Sequence, residues 1–485
     1  MKRENSEDPP DSRNSLEKKK PSLIEPKRQR GSFFVEKKIL VRSEINENGI
    51  EIEVGGRKSK VIYPKEIWER YPQTLKEILS QDLALIFTIH LPYLLDIERI
   101  DYQMPEIFNK KLIFEGFKKS LPSTALMKSK RTFELLEKFK KTKFSFLNRS
   151  NQVVDPVSIK TENKAALAFS FGKDSLLTFA ICKEIGIETV PIYVEEPLAE
   201  FENYHKKILA KDFFKEFGQK ILFLKNEIGN LRESGKNGWF GWELQLTQLG
   251  LVSLPLIFSN GVKYFFFANE QSCNYKFLDK DGFWCNPVYE QSVEWMIKFR
   301  EIIKNLGIEN LFIGSLVEPL HEIAIIKILH HRYPEIGKYQ MSCGEIEVEK
   351  IENRWCQNCS KCARIYIFLL ANGVDPKKVG LNVDMLDLKY KNKFSIFNGK
   401  NEKTYGYDKS LLGRDEQLLA FLLAFKRGVK GKLMEFFKKN YLKETKEREE
   451  ELRKKFFSIH STRTLPEELK DKVLKIYREE LRGLS

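Results

Sequence analysis

At 485 residues the chain exceeds one small domain and suits two or three, and 42% hydrophobic against 31% charged residues describe a globular protein with charged margins. No apolar run approaches a membrane span (the longest, Leu246 to Phe258, is broken by Thr, Gln, Gly, Ser and Pro), the N-terminus lacks an apolar leader, and seven cysteines are an odd number for a disulfide framework; a cytoplasmic protein is expected. The net charge of +15 and isoelectric point near 9.2 suit an anionic metabolite and leave nucleic acid open without favouring it, because much of the charge lies in the first thirty residues and after Lys426.

Residues 1–31, rich in Lys, Glu, Ser, Pro and Asn, are expected to form a disordered basic tail. Residues 32–151 begin with strand-like runs (FFVEKKILVRSEI, IEIEVGG and SKVIYP) and pass into helical periodicity over Glu66–Leu95, an N-terminal α+β domain without visible chemistry. Over 152–380 apolar runs and amphipathic helices alternate. AALAFSF, TVPIYV, KILFLK and VKYFFFA read as strands, with helices at DSLLTFAICKEIG, Glu200–Phe217 and Glu243–Phe258 between them. That alternation predicts a doubly wound parallel sheet with helices on both faces, hence an α/β fold. Residues 381–485 read as a helical C-terminal region, in which KETKEREEELRKKF is a solvated charged helix.

Three places carry chemistry. The segment Ser170-Phe171-Gly172-Lys173-Asp174-Ser175 joins a buried strand to a helix, where backbone N–H groups and the helix dipole favour an anion. Gly172 permits close approach, Lys173 neutralises phosphate charge, and Ser170 and Ser175 donate hydrogen bonds. Asp174 either caps the helix or holds magnesium. Phe171 resists positive φ, so the loop must turn there in an allowed conformation or be distorted. Cys343, Cys356, Cys359 and Cys362 have the spacing C-x12-C-x2-C-x2-C, a tetrahedral zinc pattern that an iron–sulfur cluster or sulfur-transfer cysteines also fit. The neighbouring Trp355, Lys361 and Arg364 could instead place that segment at a substrate rim. Beyond VKYFFFA, Asn269, Glu270 and Ser272 lie where open α/β sheets place ligands, with Glu270 a candidate general base or metal ligand. Glu322 precedes the apolar helix IAIIKILHHRY and is either a ligand or a first-turn acid.

The loop resembles the Ser-Gly-Gly-x-Asp-Ser loop of the PP-loop ATP pyrophosphatases. In order, the chain carries SFGKDS, ANEQSCN, NPVYEQSVEW, SLVEPLHEIAI and SCGEIEVEKIENRWCQNCSKC. This series, from about Ala165 to Leu370, resembles the epimerase family acting on UDP-N-acetylmuramoyl-L-alanyl-L-glutamate. The resemblance implies that Ser170, Phe171, Gly172, Lys173, Asp174 and Ser175 bind ATP with Mg²⁺. Asn269, Ser272, Gln291, Ser292 and Glu322 then meet the UDP-linked substrate, and Asn286, Glu294 and Pro319 match further segments. Lys173, Asp174, Glu270 and His321 are candidate catalytic residues. The implied reaction turns the α-carboxylate of the terminal L-glutamate into an acyl-adenylate and epimerises the α carbon. The chain departs from the pattern at Phe171 (Gly), Cys273 (Ala), Glu318 (Arg) and His321 (Ser), and around Tyr289-Glu290. The alternatives are nitrile formation resembling 7-cyano-7-deazaguanine synthase, a PP-loop tRNA-modifying enzyme, and a nucleotide-sensing protein on a degenerate loop.

Overall fold

The computed structural model describes residues 37–148, 156–158, 160–232, 240–343, 352–397 and 406–484; the tail expected over 1–31 lies outside them. Alternating apolar and charged residues fold β1 (Lys38–Asn46), β2 (Gly49–Val54) and β3 (Arg57–Ile62) into an antiparallel meander. Val41, Ile50, Ile52 and Val54 are buried, while Glu51 and Lys58 pair on the outer face. The helices α1 (Lys65–Arg70), α2 (Gln73–Ile86) and α3 (Leu91–Leu94) lead to β4 (Arg99–Tyr102), which lies parallel to β1. Next come α4 (Lys110–Met127), α5 (Thr132–Lys141) and β5 (Lys143–Phe146), closing a sheet of order β3-β2-β1-β4-β5.

The second sheet is built from β6 (Glu162–Ala168), β7 (Glu188–Glu195), β8 (Leu222–Lys225) and β9 (Val262–Phe266), linked in turn by α6 (Lys173–Glu184), α7 (Glu200–Phe217) and α8 (Gln245–Ser259). A small hairpin of β10 (Phe277–Leu278) and β11 (Trp284–Cys285) and helix α9 (Val293–Asn305) follow, then the last sheet strand, β12 (Phe312–Gly314). All five strands are parallel, in the order β12-β9-β6-β7-β8. Ala165, Ala166 and Leu167 of β6 are buried on both faces, as a central parallel strand requires. The chain steps outward from β6 through β7 to β8, then crosses back to β9 on the other side of β6. Loops leaving β6 and β9 therefore diverge, and their carboxyl ends border a crevice.

One face of the parallel sheet is covered by α6, α7, α10 (Glu322–Arg332), α11 (Pro334–Gly337) and α12 (Ser360–Ala371), with the C-terminal helices outside them. These are α13 (Leu411–Lys426), α14 (Lys432–Asn440), α15 (Leu442–Glu447), α16 (Glu449–Phe457) and α17 (Glu467–Leu481). The other face carries α8 and α9, and its apolar core runs unbroken into that of the N-terminal sheet. Tyr63 bonds the carbonyl of Val252, Gln248 bonds that of Ile86, and a Cβ at Gly116 would come within 2.2 Å of the Trp295 ring. The N-terminal region is thus docked through tight packing. The long apolar stretch after Asp415 divides at Gly428 and Gly431, whose φ values are 77° and 153°. The charged run after Lys443 likewise divides into α15 and α16, and it is not solvated throughout: Thr445, Leu452 and Phe456 are buried on its inner side. No helix among the described residues is long and apolar enough to cross a membrane.

Asp82 tests the docked core. It is fully buried, accepts one hydrogen bond from Asn109 at 2.6 Å, and has no partner for its other oxygen. Burial pushes its carboxyl up to about 7 from 3.8, with the Asn109 bond opposing. The folded chain therefore holds a proton that the unfolded chain releases between those values. Stability is full below pH 3.8, falls as pH rises toward about 7, and is level beyond. Asp82→Asn should melt higher than wild type at pH 8, and the difference should vanish on approaching pH 4, as read by thermal denaturation.

Candidate functional site

The turn from β6 into α6 carries the first group of residues. Phe171 has φ of 54°, the left-handed region that costs a non-glycine residue about 1–2 kcal/mol. Its ring is fully buried between Phe169 (4.8 Å between centroids) and Phe213 (5.6 Å), and its carbonyl accepts from Met341 N at 2.8 Å. Aromatic burial thus sustains a backbone conformation that a glycine would adopt freely, and the loop turns without distortion elsewhere. Gly172 is extended, with φ of −70° and ψ of 158°, and caps α6 without a side-chain bond. Ser170 N donates to Ser175 Oγ (3.2 Å), Ser175 Oγ donates to Gly172 O (3.1 Å), and Lys173 N donates to Ser342 Oγ (3.4 Å).

Lys173 turns inward. Its ammonium lies 2.7 Å from Asp174, 3.5 Å from Glu270 and 3.5 Å from Glu322, joining the loop after β6, the loop after β9 and the first turn of α10. Asp174 therefore binds Lys173 and does not cap the helix. On the far side of Glu322, Arg364 of α12 approaches at 3.2 Å and reaches Asp408 at 2.6 Å. Glu416 of α13 accepts from the Ile323 amide (2.9 Å) and the Tyr407 hydroxyl (2.5 Å). Two cations thus serve four acids, with Glu416 held beside them by neutral donors, and of these only Asp174 keeps appreciable exposure.

The acids divide in consequence. Burial would raise Glu322, but Arg364 and then Lys173 outweigh it and hold this carboxyl at about 2. Burial and the adjacent Glu322 charge push Glu270 well above the carboxylate range, and the same two causes carry Glu416 to about 7. Burial likewise raises Asp174. Lys173 keeps its proton because its three carboxylates outweigh burial. Burial and charge thus push the two carboxyls apart, Glu270 toward the protonated form and Glu322 toward the ionised one.

The other residues singled out in the sequence take different positions. Ser272 Oγ bonds His321 Nδ1 at 3.0 Å, and the His321 ring packs on Phe456 and His460, 5.0 and 4.9 Å away. Burial drives His321 to about 3, so it is neutral, and it packs among aromatic rings. Asn269 lines a water-sized void of about 10 Å³ with Thr247, Glu290 and Trp295, and its Nδ2 lacks a protein partner. Gln291 accepts from the Cys273 thiol at 3.3 Å. Ser292 caps α9 through Trp295 N and lines a cavity of about 450 Å³ beside the Glu270 loop. Asp408, Glu416 and Tyr407, which complete the acid cluster, were not singled out in the sequence. The available signal was a glutamate and a glutamine, Glu416 and Gln417, directly before the apolar run LLAFLLAF; both are fully buried.

The four cysteines come together. The sulfurs of Cys343, Cys356, Cys359 and Cys362 all lie within 4.8 Å of one another, close to the spacing of about 3.8 Å that a tetrahedral Zn–S₄ centre imposes. Cys356 N and Cys362 N each donate to a cysteine sulfur at 3.4 Å, and Gln357 between the ligands is left-handed at φ of 54°. Hydrogen bonds from the other three thiols, Cys356 first, hold Cys343 far below the usual thiol range. The four thiols are placed so that they could hold one metal ion. The group also abuts the site: Ser342, next to Cys343, receives the Lys173 amide, and α12, capped by Cys359, carries Arg364 to Glu322. Trp355 is buried and bonds the Val379 carbonyl at 2.6 Å.

Two variants test these assignments. Phe171→Gly removes strain of about 1–2 kcal/mol but forfeits ring burial of about 3–5, so chemical denaturation should show a net loss of about 1–4 kcal/mol. Replacing Cys359 and Cys362 by Ser should abolish stoichiometric metal in elemental analysis and lower the melting temperature by roughly 10 °C or more. In comparisons with known protein families, curated proteins and solved structures, nothing matches this chain.

Proposed function

We propose that the chain is an enzyme that splits ATP to AMP and pyrophosphate to activate a substrate carboxylate, and that it epimerises the terminal L-glutamate of UDP-N-acetylmuramoyl-L-alanyl-L-glutamate. The observation that carries this reading is the meeting of the Ser170–Ser175 loop, Glu270 and Glu322 on one ammonium, at the crevice where the strand order reverses. Beyond the Lys173 amide, which Ser342 receives, the start of α6 has no side-chain cap, and its amides with the Ser170 hydroxyl offer a polyphosphate its donors. Asp174 is the carboxylate that would hold Mg²⁺, which when bound neutralises phosphate charge. The cysteine group is assigned to Zn²⁺ in a structural role, holding Ser342 and Arg364 against the loop and the acids.

Epimerisation needs one group to take the α proton and another to return one. A free carboxylate next to the α carbon opposes carbanion formation, and a neutral acyl-adenylate removes that opposition. Glu322, kept ionised by Arg364, is the acceptor, and Glu270, kept protonated by burial, is the donor. His321, packed between Phe456 and His460, is left out of this assignment and supports Ser272.

With ATP and Mg²⁺, pyrophosphate release should depend on the UDP-linked dipeptide, and chiral analysis should detect D-glutamate. Asp174→Asn should suppress both. Glu270→Gln, close in shape, should retain pyrophosphate release and lose epimerisation by about 10²–10⁴-fold, the usual contribution of a general acid or base. Release with no carboxylate tested would sink the proposal, and release without inversion would remove the epimerase assignment alone.

A further inference from the structure

Glu318 is a buried acid with an unusual task. One carboxylate oxygen accepts from Ser461 Oγ and from Arg463 N at 3.2 Å; the other accepts from Thr464 N at 2.6 Å and Thr464 Oγ1 at 2.5 Å. A single carboxylate thus gathers the turn 461–464, which arrives from the far end of the chain. The turn is also pressed against the end of β12: Ser315 N donates to Thr464 O at 3.4 Å, and a Cβ at Gly314 would come within 2.0 Å of that oxygen. Its backbone is fixed on both sides.

That clamped turn sends Arg463 into the cavity of about 450 Å³, together with Gln271, Ser292, Lys276 and Lys298. The two lysines are already engaged, Lys276 with Glu294 at 2.9 Å and Lys298 with Glu115 at 2.7 Å. Arg463 is exposed and, among the described residues, meets no carboxylate. Gln271 accepts from Asn274 at 3.3 Å through Oε1, which leaves its amide hydrogens for the cavity, and Ser292 Oγ, accepting from Trp295 N, still has a hydroxyl proton to give. Glu301, which forms no ion pair among the described residues, also lines it, so the cavity offers an uncommitted guanidinium fork and two neutral donors beside one unpaired acid. Gln271 directly follows Glu270, so the reaction centre and the cavity lie on adjoining parts of one loop.

We propose that this cavity is an oxyanion subsite, in which Arg463 receives a carboxylate or phosphate group of the substrate while another part of the same molecule lies at Glu270. The assignment rests on the acid cluster being the reaction centre. A planar guanidinium matches either group through two parallel hydrogen bonds, and a fixed backbone lowers the ordering cost of forming them. Glu318 is a positioning residue that acts through Arg463.

The test uses the full chain and titration calorimetry, with a non-hydrolysable ATP analogue present to block the loop. Inorganic phosphate and N-acetyl-L-glutamate are the probes for the two sources of the anion. One of them should bind wild type, weaken by at least about tenfold in Arg463→Ala, as the loss of a charge-assisted contact implies, and weaken less in Arg463→Lys. An unchanged melting temperature in Arg463→Ala would show that the fold is retained. Equal binding to wild type and Arg463→Ala, or no binding of either probe at millimolar concentration, overturns the subsite. The ATP analogue is titrated alone beforehand; its failure to bind would count against adenylation and leave the Arg463 comparison readable.

Discussion

The arrangement depends on one buried ammonium. Lys173 is drawn into contact with Asp174, Glu270 and Glu322, and these four residues come from a strand-to-helix turn, a second such turn and a helix start. Three carboxylates could not share so dry a space without a cation, because the cost of removing each from water would exceed what hydrogen bonds alone return. With Lys173 in place, the charges are unequal in number but graded in protonation. Arg364 fixes Glu322 as the ionised member, and the proton is left to Glu270.

This cluster is also where remote parts of the chain are committed to one another. Arg364 stands two residues beyond Cys362, so the cysteine group sets the start of the helix that supplies it. Asp408 reaches the same arginine, and Glu416 the first turn of α10, from the C-terminal region. The four cysteines and the C-terminal helices thus act on the site by orientation. They hold side chains whose own surroundings leave few other rotamers, which is the way rigid elements support a reacting centre.

How much of this was legible depended on whether the chemistry was contiguous. The loop at Ser170–Ser175, the cysteine run and Asn269–Ser272 each announce themselves within a few residues, because strand-to-helix turns and ligand spacings are local properties. Phe171 was legible as a problem, and its solution lay in Phe169 and Phe213, one of them in another helix. Glu318 read as a reversed charge at a position for an anion. Folded, it is spent on the amides and hydroxyls of 461–464 and brings a different arginine, Arg463, to the neighbouring cavity. His321 read as one of two candidate bases, with Glu270, whereas its packing on Phe456 and His460 depends on a segment well over a hundred residues later.

The sequence by itself determined the alternation of strands and helices, the parallel character of the central sheet and the cysteine spacing, since each follows from periodicity or from separation along a short stretch. Only the tertiary structure decided the strand order β12-β9-β6-β7-β8, and with it the meeting of Lys173 with Glu270, 97 residues away. It also decided which acids are pushed toward the protonated form and which toward the ionised one. The physical reason is that backbone preference acts over a few residues, while burial and charge depend on whatever the packed chain brings alongside.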